Sequence, residues 1–437
     1  MIQTQDNSTT KAIPEGQELD DLKCMAKPSI AELCSDDGSS LLVFPHFLGE
    51  YGDKIGAEHI FSVNNGNQIV TGNIMGFVGY NDTRVSIRSR FAQQQGDYFL
   101  HYMLQKVFAI NLFDLKHDSD NESVFDFLIY LFPAFLKRAL RQGIYKEYQT
   151  RNYNDANVRG RIDIQRHIRQ NIPFAGKVAY STREYAVDNH VTQLVRHTIE
   201  YIACHPYHGN ILGNDDETKE AVGLINNATS SYNRNDRSRI VNLNNRPISH
   251  PYFSQYLDLQ RLCLQILRQE ELKYGNDDNQ IYGILFDGAW LWEEYLDTLL
   301  KSIGFEHPRN KTGEGRKYMF TNHTGACYPD FYSQEMVLDA KYKGYEDLGM
   351  VQTTDLYQVI SYMHILKLNH GGFVVPVSND EKQSVAKQLN GYGGKLSVFG
   401  MQVAQKSLTF TCFANKMEAE ESRLLECIRS FVSDQTN

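Results

Sequence analysis

YPDFYSQEMVLDAKYKGY, residues 328–345, sets two acids and a lysine around two short apolar runs. Its second half, MVLDAKY, reads as a strand. Side chains alternate faces along a strand, so Asp339 and Lys341 point the same way while Leu338 and Ala340 point into the core. Two polar groups on an otherwise apolar strand are costly to bury unless something charged is held between them. Asp330, nine residues before Asp339, falls on a preceding short strand joined by a turn around Ser333 and Gln334. A hairpin of that length brings Asp330 beside Asp339. Two carboxylates converging with the backbone carbonyl of Ala340 make a hard oxygen site suited to magnesium, and Lys341 would orient or help deprotonate a water attacking phosphorus.

The flanking sequence supplies a frame for that hairpin. GAWLWEEYLDTLLKSIG, which carries Glu293, has helical spacing and a stop at Gly304. After the turn-rich RNKTGEGRK come a hairpin-like pair around YMFTN and ACYPDF, and then the motif strand. LYQVISYMHILKL is helical and places Gln358 and Tyr362 four apart, on one face. GGFVVPVS, KLSVFGMQVA and SLTFTCFAN read as strands, and MEAEESRLLECIRSFV as a closing amphipathic helix. Helix, strands, helix and strands again predict an α/β domain over residues 279–437, with a mixed sheet flanked by helices.

Upstream, residues 1–40 begin with a polar, turn-rich stretch read as a flexible tail. Residues 41–95 are β-rich: LLVFPHF, HIFSVNN, NQIVTGNIMGFVGY and TRVSIRS alternate between NNGN and GYND turns. Residues 96–278 are mainly helical, with YFLHYMLQKVFAINLFDL, VFDFLIYLFPAFLKRALRQGIYKEY, VDNHVTQLVRHTIEYIA and YLDLQRLCLQILRQEEL showing apolar three- and four-residue steps, and VRGRIDIQRHI read as a loop. The main boundary falls in GNDDNQ, near residue 278.

A chain of 437 residues, 41% hydrophobic and 12% aromatic, is long enough for two or three domains. It holds no uncharged apolar run of about 18 residues and no secretory signal at its start, so a cytoplasmic protein without a membrane span is expected. Seven scattered cysteines without a C-x-x-C pair read as reduced thiols. Cys204 with His205 and His208, and His323 with Cys327, lack a second ligand pair at structural-zinc spacing. The net charge of −9 argues against bulk coating of nucleic acid. Charge is nevertheless uneven: Lys137 to Arg169 holds nine basic side chains against three acids, and Arg234, Arg237, Arg239 and Arg246 crowd an Asn-rich loop. Each cluster reads as a solvated face or as a phosphate-contacting surface.

The acids and lysine resemble the PD-(D/E)xK nuclease signature, written here as Pro329-Asp330 and then Asp339-Ala340-Lys341. Within that resemblance Glu293 occupies the place of a first-helix acid that holds a metal-bound water, with a plain surface charge as the alternative. Gln358 and Tyr362 match a Q-x-x-x-Y feature of some nucleases of the superfamily, or are ordinary helix-surface residues. Lys343 and the loop residues Arg309, Lys311, Arg316 and Lys317 are candidates for gripping DNA phosphate.

More of the chain shares the likeness. GFVGYNDTRVSIRSRF, YFLHYMLQKVF, VRGRIDIQRHI, STREYAVDNHVTQLVRHTI and LWEEYLDTLL, followed by the nuclease motif, resemble the McrC family in content and order over residues 75–375. The resemblance implies a magnesium-dependent subunit of an McrBC- or LlaJI-type restriction system that cleaves double-stranded DNA. It also implies a β-rich 41–95 region that docks on an McrB-like AAA+ GTPase hexamer. GTP would then enter only through the partner, since GYGGKLS has leucine where a Walker A motif needs Ser or Thr, and it leads into a strand. Arg88, Arg90, Arg159 and Arg161 are candidates for partner or phosphate contact. A non-cleaving adaptor that stimulates the GTPase ring and a stand-alone repair nuclease are the rival readings.

Overall fold

The strand Met336–Ala340 is buried along its whole length because it is an inner member of a five-stranded sheet. In this computed structural model, which describes residues 2–35, 40–45, 58–93, 96–108, 121–204, 209–213, 215–273, 281–308, 315–343, 348–378, 386–391 and 393–433, the sheet order is Phe331–Tyr332, Met336–Ala340, His370–Val377, Lys395–Gln402 and Lys387–Gln388. The three central strands run parallel and the two short outer ones antiparallel. Strands covered on both faces read as continuous apolar runs, as VVPV and SVFG do. Helix Thr353–Leu366 makes the crossover between the first two parallel strands and packs on both, and helix Phe410–Ser433 covers Lys395–Gln402. Val337, Val359, Met363, Phe373, Val375 and Val398 fill the core between sheet and crossover helix.

A second five-stranded sheet orders Ile2–Gln5, Thr83–Arg88, Ile74–Tyr80, Ile281–Asp287 and Ser40–Phe44. Its fourth strand lies antiparallel to Ile74–Tyr80, in a close approach that only glycine permits. Gly76 and Gly283 have φ of 132° and 149°, and a Cβ on either would lie 2.2 Å from Ile284 O or 2.1 Å from Phe77 O. Asp287 ends the strand and caps helix Gly288–Leu300, its carboxylate accepting from Ala289 N at 2.9 Å. That helix is tied down at two places. Trp292 Nε1 donates to Val374 O at 3.1 Å, and Tyr295 joins Tyr102 in donating to the buried Glu421 carboxylate, at 2.8 and 2.7 Å. Helices Tyr98–Phe108, Gly288–Leu300 and Phe410–Ser433 are thus locked by one satisfied buried acid.

Both sheets belong to one compact unit, Met1–Phe127 with Asp277–Asn437; Leu128–Asn276 forms another. In the latter unit, an antiparallel ribbon of Glu147–Asp155 and Val178–Ala186, with Arg161–Ile162 at its edge, accompanies helices His190–Ala203, Asp216–Ala228, Arg237–Leu243 and Gln255–Lys273. Asn189 caps the first of these with a full capping box.

Several expectations are corrected. The first 40 residues are no flexible tail: Ile2–Gln5 pairs in register with Val85–Arg88, and helix Gln17–Ala26 buries Leu19, Leu22 and Met25. The middle of the chain is not mainly helical throughout, because its two longest strands belong to the ribbon, and VRGRIDIQRHI yields a short strand and the helix Ile164–Gln170. Residues 281–287, assigned to the C-terminal domain, pair in the N-terminal sheet. SLTFTCFAN is not a strand: Phe410, Phe413, Ala414 and Met417 are buried at helical spacing and begin the last helix. The GNDDNQ boundary, His205 with His208, Arg309 with Lys311, and Tyr345 lie outside the described residues. No helix among the described residues is long and apolar enough to cross a membrane.

Candidate active site on the Asp330 to Lys341 hairpin

The hairpin brings its two acids and lysine together. Tyr332 pairs with Val337 and Phe331 with Leu338, so Asp330 stands beside the end of the motif strand, where its Oδ2 accepts from Ala340 N at 2.8 Å. Asp339 and Lys341 share a face, as strand alternation dictates, with Lys341 Nζ 2.7 Å from Asp339 Oδ2. Asp339 has no exposed surface, and apart from that ammonium neither of its carboxylate oxygens has a hydrogen-bond donor among the described residues.

Burial holds the Asp339 carboxyl well above the ordinary carboxylate range; the Asp330 charge pushes the same way, and Lys341 only partly offsets them. Burial opposes the charge of Lys341, yet Asp339 and then Asp330 outweigh it and keep the ammonium protonated well past the usual lysine range. Glu293, one residue beyond the anchored Trp292, is raised well above its usual value by removal from water, then by the charges of Asp330 and Asp287, with Lys341 opposing. The helix acid therefore faces the hairpin acids. Asp330, Asp339 and Glu293 all interact with Lys341, so acids outnumber the base here.

Gln358 and Tyr362 are not idle surface residues. Gln358 Nε2 donates to the Tyr362 hydroxyl at 3.1 Å, and that hydroxyl donates to Tyr328 O at 3.2 Å, pinning the backbone two residues before Asp330. Burial raises the Tyr362 pKa, and Asp330 and Asp339 add to it.

Other candidates have internal partners. Lys343 Nζ meets Asp355 Oδ2 at 3.2 Å and Gln352 Oε1 at 3.4 Å. Arg90 pairs with the buried Asp6 at 2.5 Å and lies over the Tyr342 ring at 4.6 Å. Arg237 donates to Leu267 O at 2.7 Å, and Arg239 pairs with Asp236. Arg159 and Arg161 are exposed, and Arg88 is half-buried.

Two participants escaped the sequence reading. Asp287, an acid before GAW, caps the helix that carries Glu293 six residues further on, and its charge adds to the rise of Glu293. His307 holds Asp330 O through Nδ1 at 2.6 Å and stacks on Phe331 at 4.8 Å. No local pattern announces that contact.

No three His, Cys, Asp or Glu side chains among the described residues are grouped closely enough to hold a metal ion by themselves. Asp330 and Asp339 are oxygen donors of the kind a hard cation takes, and neither oxygen of Asp339 has a donor other than Lys341 among the described residues.

In overall structure the chain is similar to a chain of the refined half-complex from a tetradecameric assembly of Thermococcus gammatolerans McrB AAA+ hexamers with bound McrC. That likeness has 15% identity and a TM-score of 0.48, over 98% of this chain and 99% of that one. It is also similar to a chain of the Thermococcus gammatolerans McrBC complex, at 14% identity and a TM-score of 0.34, over 69% of this chain and 87% of that one. A comparison with curated protein sequences finds no match. The sequence family described as McrBC 5-methylcytosine restriction system component matches residues 69–376, well over half of the chain and the whole of the hairpin site. The chain belongs to that family.

Proposed function

We propose that this chain is the DNA-cleaving subunit of an McrBC-like restriction system, hydrolysing phosphodiesters of double-stranded DNA at the Asp330, Asp339 and Lys341 centre with magnesium, when driven by an McrB-like hexamer of AAA+ GTPase subunits. The observation that carries the reading is Asp339, a fully buried carboxylate with no donor besides Lys341. A buried acid is kept raised and unsatisfied at a functional site, not in a packing core.

Asp330, Asp339 and the Ala340 carbonyl would hold the magnesium, with Glu293 through a water. The ion supplies polarisation of the phosphate and a more acidic bound water. The rest falls to the chain. Lys341, kept charged by Asp339 and Asp330, is a hydrogen-bond donor and orienter at the reacting phosphate. Glu293, raised by burial and by the charges of Asp330 and Asp287, accepts and releases a proton on the water side. Gln358 and Tyr362 hold the Asp330 strand in register through Tyr328 O.

GTP dependence is assigned to the partner, because Lys395 of GYGGKLS opens the strand Lys395–Gln402 and no helix. The family's role as a component of a restriction system supports a multi-subunit machine. Asp339→Ala separates cutter from adaptor: it abolishes cleavage by the assembled complex while GTPase stimulation by this chain persists. A variant that still cut DNA would contradict the assignment.

A further inference from the structure

The sequence GRKYMFTNHTGACY, residues 315–328, carries Arg316, Lys317 and His323 and no acid, within a chain whose net charge is −9. It folds as a hairpin. Lys317–Tyr318 pairs with Ala326–Cys327, Met319 N donates to Gly325 O at 2.9 Å and Phe320 N to Thr324 O at 3.2 Å, and His323 closes the tip with a φ of 59°. Two apolar side chains face water at that tip, Met319 with 52% and Phe320 with 62% of their surface exposed.

Their presentation is built. Gly325 has a φ of 67°, and a Cβ there would lie 3.1 Å from Met319 Cβ and 3.2 Å from the Phe320 ring, so the ring packs across a position only glycine can hold. At the base, Lys317 Nζ lies 4.2 Å from the Tyr332 ring centroid, Tyr332 also bonding the Glu306 carboxylate. Arg316 Nε donates to the Tyr328 hydroxyl at 2.5 Å. Tyr328 is the residue whose carbonyl Tyr362 pins, two before Asp330. Eight residues separate the tip, at Asn322, from Asp330, a span of at most about 27 Å, which is less than one duplex turn of about 34 Å.

We propose that this hairpin is a DNA wedge: Phe320, seconded by Met319, inserts between base steps from the minor groove while Arg316 and Lys317 take the adjacent phosphates, holding the duplex against the acid centre. An apolar tip on a wholly basic hairpin matches that chemistry, in which Phe and Met unstack a step and cations hold the backbone. A protein partner would find the same apolar tip, but the basic base and its short tether to Asp330 favour DNA. The inference rests on the nuclease reading for its substrate.

The test uses the full chain without divalent metal and a duplex carrying 2-aminopurine, whose fluorescence rises on unstacking. Wild-type protein is expected to raise the signal. Phe320→Ala removes most of the rise and weakens duplex affinity about ten-fold, the loss of roughly one stacked base. Phe320→Leu, still an apolar wedge, keeps most of both. No rise with saturating wild-type protein, or a Met319→Ala/Phe320→Ala double variant that behaves as wild type, overturns the wedge. The two readings separate cleanly: protein that cuts plasmid without unstacking sinks the wedge alone, and protein that unstacks but never cuts, with magnesium and the partner present, sinks the nuclease reading alone. Asp339→Ala retains the fluorescence rise.

Discussion

Replacing Lys341 by methionine removes the ammonium 2.7 Å from Asp339 Oδ2 and leaves a carboxyl with no exposed surface. Breaking a buried ion pair from one side costs about 3–5 kcal/mol while the remaining charge persists. A carboxyl that takes up a proton escapes part of that cost, about 1.4 kcal/mol per pH unit below its raised pKa. Asp339 already titrates high because of burial and Asp330, and losing Lys341 drives it higher. A folded-state pKa above the unfolded value of about 3.9 means that the stability this group contributes is complete below that pH and is lost as pH rises through the folded value. The raised pKa of Lys341 itself acts only above about pH 10.4, outside the working window. Lys341→Met is therefore expected to cost more at high pH than at low pH, up to about 3 kcal/mol where the stranded carboxyl is ionised. Thermal unfolding in chelator reads this as a fall of up to about 5 °C at pH 8 and a smaller fall at pH 5. The Asp339→Asn/Lys341→Met double variant recovers most of the loss at pH 8, since neither charge is stranded. A loss independent of pH, or a double variant no more stable than the single one, would refute the reasoning.

Three further outcomes follow from the same contacts. Gly283→Ala places a Cβ 2.1 Å from Phe77 O at a φ of 149° and costs at least about 3 kcal/mol, measured by urea unfolding; a loss under about 1 kcal/mol would mean that the two strands are not so close. Tyr362→Phe orphans Tyr328 O, lowering stability by about 1 kcal/mol and single-turnover cleavage by about ten-fold, whereas a Gln358→Leu change added to it costs little more. Magnesium binding, followed by calorimetry, is at least about ten-fold weaker at pH 5.5 than at pH 7.5, because the raised Asp339 and Glu293 must release protons before they take up the ion.

The hairpin was legible because its determinants are local. A period of two puts Asp339 and Lys341 on one face, and the nine-residue separation from Asp330 fits one tight turn. The four-residue step from Gln358 to Tyr362 was equally plain, but not their grip on Tyr328, which depends on how the crossover helix lies on the sheet. Strand Ile2–Gln5 was misread because four polar-alternating residues carry little signal and their partner, Val85–Arg88, lies some eighty residues away. Leu19, Leu22 and Met25 did repeat at helical steps, masked by the acids between them. In SLTFTCFAN the alternation of Leu408, Phe410 and Cys412 imitates a strand; the packing of Phe410, Phe413 and Met417 against neighbouring elements decides for helix. Segment 281–287 was apolar enough for either sheet, and the paired glycines, Gly76 and Gly283, select the N-terminal one only through a contact between distant strands.

The central claim is that Asp330, Asp339 and Lys341 form a magnesium-dependent centre that cuts DNA. It is tested most directly by single-turnover cleavage of plasmid DNA by the complex of this chain with its GTPase partner, comparing wild type with Asp339→Asn in magnesium and in chelator. The account predicts magnesium-dependent cutting by wild type and a rate at least about a thousand-fold lower for Asp339→Asn, with partner binding unchanged. Equal cutting by the two proteins, or cutting by wild type that survives the chelator, would contradict it.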